Sequence, residues 1–136
     1  NKLYFMKKTI LIVDDEPTIL KLLEFVLSKD YEVILKTNGY EAIQWLEGSN
    51  KPDLIILDIN MPYFNGPEFL KSIKISGLFS NIPVIVLTGD NDTKKIRQEL
   101  SFPVNEIIHK PFNPTKLKDA VKYLLTENAK FTTSEN

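Results

Sequence analysis

Leu54-Ile55-Ile56-Leu57-Asp58-Ile59-Asn60-Met61-Pro62 decides the fold. Four consecutive apolar residues run into one carboxylate. Turn residues follow at once, Met61-Pro62 and then Gly66-Pro67. A short apolar run bounded by turn residues reads as a strand buried on both faces, the habit of a parallel sheet. Asp58 then stands at the carboxyl end of that strand, where open α/β sheets bind their ligands.

Working outward, the same pattern recurs. Thr9-Ile10-Leu11-Ile12-Val13 runs into Asp14-Asp15-Glu16, and Val84-Ile85-Val86-Leu87 into Thr88-Gly89-Asp90. Ile107-Ile108 is a shorter strand before His109-Lys110-Pro111-Phe112. Tyr31 to Thr37 has Val33, Ile34 and Leu35 at its centre and charges at both ends, which suits an edge strand. Between the strands lie helical periods. Pro17 suits a first helical turn, and Ile19, Leu22, Leu23, Val26 and Leu27 follow at helical spacing. Ala42, Ile43 and Leu46 mark a second helix after Asn38-Gly39. Phe69, Leu70 and Ile73 mark a third, with Gly77 past its end. A fourth, from Asp92 to Leu100, offers only Ile96 and Leu100 among charged residues and should be loosely held. Asn113 caps a fifth, with Pro114 first and Leu117, Ala120, Val121, Leu124 and Leu125 inward.

The order is therefore βα five times. Right-handed crossovers with helices on both faces give a doubly wound α/β sandwich of three layers. A closed barrel needs about eight such units and about 250 residues, more than these 136. The expected domain spans 6–126. Asn1 to Phe5 reads as a tag or linker remnant before Met6, and 127–136 as a polar tail.

Composition narrows the function. Basic and acidic residues number 17 and 18, for a net charge of −1, and no basic tract points to nucleic acid. No apolar run could span a bilayer and there is no secretory signal. Zero cysteines remove disulfide and thiol chemistry, which fits a cytoplasmic protein. A single histidine, His109, leaves little for a histidine-built zinc site or a serine–histidine relay.

In a parallel sheet all carboxyl ends share one edge. That edge collects Asp14, Asp15, Asp58, Thr88 and Lys110. Three carboxylates at close range repel, and their joint ionisation favours a bound cation. Mg²⁺ takes one or two carboxylates, several waters and a phosphate. Thr88 adds a hydroxyl donor and Lys110 a fixed positive charge. The set suits phosphoryl transfer to an Asp58 oxygen, with charge stabilised on the phosphoryl group. Gly89 leaves room beside Thr88.

Asp14-Asp15, Asp58, Thr88 and Lys110-Pro111-Phe112, each at a strand end and in this order, resemble the signature of receiver domains of two-component response regulators, the chemotaxis regulators among them. The resemblance covers about Lys7 to Leu125. It implies a flavodoxin-like sheet of order 2-1-3-4-5. It implies a phosphorylation-dependent switch, not an enzyme on other substrates, in which Asp58 takes phosphate from a sensor histidine kinase or a phosphotransfer protein. It also implies Mg²⁺ on Asp15, Asp58 and the Asn60 backbone carbonyl, with Asp14 acting through water, and a cis Lys110–Pro111 bond. Asn60 and Asp90 would tune how water reaches the phosphoryl group. The signal would leave by the face of helix four, strand five and helix five, toward a downstream protein, an attached output domain or a phosphorylation-dependent homodimer. No nucleic acid or membrane contact is expected of this domain. Either a stand-alone regulator or a piece of a larger protein fits the chain.

Simpler readings stand beside this one. Asp14, Asp15 and Glu16 before a helix can serve only as capping and dipole residues. Pro62, Gly66 and Pro111 can serve only turns, and Trp45 and Phe112 only packing. Capping, however, does not call for a threonine and a lysine at two other strand ends. A phosphatase of the haloacid-dehalogenase type would place an aspartate where Asn60 stands. A nucleotide-binding module would want a glycine-rich loop in place of Asp14-Asp15-Glu16-Pro17. A degenerate receiver acting as a constitutive interaction module would not need the intact acidic set. One position departs from the family: Ile107 stands where receivers usually carry Tyr or Phe, and a β-branched side chain is stiff at χ1. Signalling is therefore expected to rely on Thr88 and the fourth helix more than on a rotamer switch at Ile107.

Overall fold

The structure is a computed structural model that describes residues 6–61, 65–89, 91 and 93–126. Strands β1 (Thr9–Val13), β2 (Glu32–Lys36), β3 (Leu54–Asp58), β4 (Val84–Thr88) and β5 (Glu106–His109) alternate with five helices. These are α1 (Pro17–Leu27), α2 (Gly39–Glu47), α3 (Gly66–Lys74), α4 (Thr93–Glu99) and α5 (Pro114–Leu124). The strands form one parallel sheet of order β2-β1-β3-β4-β5. The flavodoxin-like doubly wound order is thus the observed one. β3 and β4 are buried at every residue, as their unbroken apolar runs require, whereas the charged β2 lies at an edge. Among the described residues no helix is long and apolar enough to cross a membrane.

Alternation along each strand divides the core. Leu11, Val13, Ile55, Leu57, Val84 and Val86 pack with Ala42 and Leu46 of α2, Phe69 and Ile73 of α3 and Ile96 of α4. Ile10, Ile12, Leu54, Ile56, Ile85, Leu87 and Ile108 pack with Leu23 and Leu27 of α1 and Leu117 and Val121 of α5. Trp45 lies against the first layer and Phe112 against the second, both as packing residues.

One expected inward residue points out. Leu22 is exposed, and Leu20 is buried with Leu23 and Leu27. The helix turns about 100° per residue, so the i, i+3, i+7 stripe from Leu20 places Leu22 on the far face. Residues 1–5 and 127–136, Pro62, Asp90 and Asp92 lie outside the described residues.

Helix starts are set locally. Asn38 accepts from Glu41 N–H, Asn65 from Glu68 N–H, and Asn113 from the N–H groups of Thr115 and Lys116. Each is a side-chain oxygen filling an orphan donor of a first turn. α1 differs. Its N-cap residue is Glu16, whose side chain makes no capping bond.

Candidate functional site

β1, β3, β4 and β5 bring their carboxyl ends to one edge, and the site residues follow from those ends. Asp14 succeeds β1 and is fully buried. Its N–H is held by Lys36 O at 3.1 Å, and its Oδ1 accepts the Glu16 N–H at 2.9 Å. Asp58 closes β3 and is also buried, its Oδ1 accepting the Asn60 N–H at 3.2 Å. Ile59 N–H reaches Leu87 O at 3.1 Å, carrying the β3–β4 pairing past Asp58. Thr88, fully buried, ends β4 opposite His109. Lys110 N–H donates to Thr88 O at 2.7 Å, so the backbone of one site residue fixes that of another. The Lys110–Pro111 peptide is cis.

The lysine side chain lies among the acids. Lys110 Nζ stands 3.0 Å from Asp14 Oδ2, 3.0 Å from Glu16 Oε1 and 3.6 Å from Asp58 Oδ1. Its approach to Asp14 Oδ2 is off the line of a hydrogen bond. That buried oxygen therefore has charge compensation but no hydrogen-bond partner.

Single carboxylate oxygens of Asp14, Asp15, Glu16 and Asp58 lie within 4.8 Å of one another. One ammonium cannot neutralise them. Burial, and then the charge of Asp14, push the Asp58 carboxyl up to about 7, with Lys110 offsetting part of the rise. Asp14 is raised as well, chiefly by burial. Burial would lower Lys110, but its hydrogen bond to Glu16, its ion pair with Asp14 and the charge of Asp58 outweigh it and raise it. A half-neutralised nest of hard oxygen ligands, one of them orphaned, fits a divalent cation of the Mg²⁺ type.

Gly66, open to a turn-only reading from the sequence, has a second role. A Cβ there would sit 2.6 Å from Ile59 Cα and 2.8 Å from the carbonyl oxygens of Asp58 and Ile59. The start of α3 thus packs on the backbone behind Asp58, an approach only glycine permits. Gly89 is the opposite case: a Cβ there would meet nothing within 4 Å.

Sequence reasoning also undervalued Glu16, read only as a capping or dipole residue. The available signal was a glutamate at an N-cap, where Ser, Thr, Asp or Asn is preferred. Asn60 is exposed, two residues past Asp58, and Asp90 falls outside the described residues. Ile107 is partly buried against the layer of α2, α3 and α4. His109 places Nε2 3.2 Å from Thr93 Oγ1 at the start of α4.

Comparison with known proteins agrees with this geometry. Residues 10–122 match the response regulator receiver domain. The chain is 32% identical over 121 residues to chemotaxis protein CheY1 of Helicobacter pylori, covering 88% of this chain and 98% of that one. It is 35% identical to the alkaline phosphatase synthesis transcriptional regulatory protein PhoP of Bacillus subtilis, of which it covers 49%. Among solved structures, chemotaxis protein CheY4 of Vibrio cholerae superposes with a TM-score of 0.80 at 28% identity, covering 88% of this chain and 99% of that chain. The sheet order, the site at its carboxyl edge and a match along most of the chain lead to one conclusion: this chain belongs to the response regulator receiver domain family.

Proposed function

We propose that the domain is a phosphorylation-dependent switch whose phosphoacceptor is Asp58. One observation carries the reading: a buried aspartate at a strand end, with an ammonium 3.6 Å away and further carboxylates beside it. A buried acid would not be surrounded by like charge without a ligand to relieve it.

The donor is a phosphohistidine on a sensor histidine kinase or phosphotransfer protein. An Asp58 carboxylate oxygen attacks phosphorus, the new P–O bond forms, and the P–N bond to the histidine breaks with its electron pair returning to the ring. Asp15, Asp58 and the Asn60 carbonyl would hold Mg²⁺, with Asp14 acting through water. Bound there, the cation screens the carboxylates and the charge on the transferring group. Lys110 contributes its ammonium to the phosphoryl oxygens, and the Thr88 hydroxyl donates to one of them. Gly89 keeps the adjacent space open. Asn60 and Asp90 govern the approach of water and hence the lifetime of the acyl phosphate.

The domain occupies 6–126 and works in the cytoplasm, which the cysteine-free composition supports. Its output passes through α4, β5 and α5 to a protein target, an attached output domain or a second copy of the chain.

Acetyl phosphate with Mg²⁺ should raise the intact mass by one phosphoryl group in the wild type and not in Asp58→Asn. Labelling that survives in Asp58→Asn sinks the assignment. A wild type that never labels from a small donor or a kinase favours the constitutive interaction module.

A further inference from the structure

We infer that Glu16 is a positioning residue that holds Lys110 away from Asp58 until a phosphoryl group arrives. The inference rests on the receiver reading above and concerns a contact outside the acceptor and metal roles. Lys110 Nζ is in hydrogen-bond contact with Glu16 Oε1 at 3.0 Å, whereas Asp58 Oδ1 is at 3.6 Å. The ammonium is thus held between Glu16 and Asp14, both nearer to it than Asp58.

A second observation comes from the helix start. Glu16 occupies the N-cap of α1, and its side chain leaves the first-turn N–H groups without a side-chain cap. Capping side chains normally contribute about 1 kcal/mol. A side chain that gives up its local role while reaching a residue 94 positions away breaks a local rule at the functional edge. Attraction to the helix dipole explains an acid near this end. It does not explain why the carboxylate meets Lys110.

The two anchors of Lys110 differ. Asp14 is fully buried and fixed by its own bond to the Glu16 N–H. The Glu16 side chain is 54% exposed, so its ion pair is weak and easily exchanged. Glu16 therefore competes with the phosphoryl group for the lysine. Its removal should raise the affinity for a phosphoryl group by freeing Lys110.

Beryllofluoride, which adds to an aspartate as a phosphoryl mimic, tests this in the intact chain at saturating Mg²⁺ by calorimetry. Glu16→Gln should bind it about twofold to fivefold more tightly than wild type, the scale of one partly exposed ion pair. In a Lys110→Ala background the same substitution should change nothing. Equal tightening in both backgrounds means simple relief of charge repulsion on the anion and overturns the inference, as does no tightening at all. Should Lys110→Ala fail to fold, the Lys110 ε-methylene chemical shifts make the same distinction. They should move on Glu16→Gln in the unliganded protein and coincide with wild type once beryllofluoride is bound. Unmoved shifts in the unliganded protein overturn the proposal. A wild type that binds no beryllofluoride overturns the phosphoacceptor reading along with it. Binding that is unaltered by Glu16→Gln overturns this inference alone.

Discussion

Lys110 Nζ is closer to the buried Asp14 Oδ2, at 3.0 Å, than to Asp58 Oδ1, at 3.6 Å. Asp58 thus has the weaker share of the only ammonium in contact with this cluster among the described residues.

A stability consequence follows from that imbalance. The Asp58 carboxyl is raised from an ordinary 3.8 to about 7, by burial and then by Asp14. Between those values the native state keeps a proton that the unfolded chain has lost. Asp58 therefore favours folding in acid, and its contribution is lost as pH rises through about 7. Without Mg²⁺, chemical unfolding should show stability falling from pH 5 to pH 8. Asp58→Asn should flatten the profile and be more stable at pH 8 by roughly 1–3 kcal/mol. A wild-type profile that rises over this range would contradict the assignment.

Metal binding should separate the two acids that follow β1. On the proposed function Asp15→Ala removes a direct ligand and should weaken Mg²⁺ roughly a hundredfold. Asp14→Ala acts through water and should cost roughly tenfold. Calorimetric titration gives both numbers. Equal, unchanged affinities would remove the proposed site.

Gly66→Ala should destabilise the fold by about 1–3 kcal/mol, since its methyl group would overlap the Asp58–Ile59 backbone. Gly89→Ala meets open space and should leave the urea midpoint close to wild type. Similar midpoints for the two variants would refute the packing argument.

Phosphorylation should change hydrogen-exchange protection mainly across α4 and on to Val104, with little change at Ile107. Ile107 is packed against the core and has no ring to swing. Ile107→Val should leave phosphorylation-dependent partner binding nearly intact, whereas Thr88→Ala should uncouple binding from phosphorylation. The greatest change falling at Ile107 would reverse this account.

Much of the site was legible because a buried strand announces its own end. Asp58, Thr88 and Lys110 each follow an apolar run, and a parallel sheet sends all such ends to one edge. Side-chain pairing across that edge was not legible. Nothing in local spacing pairs Glu16 with Lys110, because the pairing is made by the turn of the sheet. The contact under Gly66 was hidden for a similar reason, since a glycine before Pro67 reads first as a turn. Leu20 and Leu22 are identical residues two positions apart, and only the phase of α1 against the sheet tells them apart.

The division of the core into two layers gives the sequence a parity. Along β3, Asp58 shares its alternation with Leu54 and Ile56, on the side of α1 and α5. Along β4, Thr88 shares its alternation with Val84 and Val86, on the side of α4. Asp58 and Thr88 thus lie on opposite sides of the same sheet and come together at its rim. A one-residue insertion or deletion inside β4 would send Thr88 to the wrong compartment while leaving an apolar strand that still folds. On the proposed function such a protein would accept phosphate and stay silent. A change of length is therefore expected to be borne better in an exposed connection between elements than inside β4.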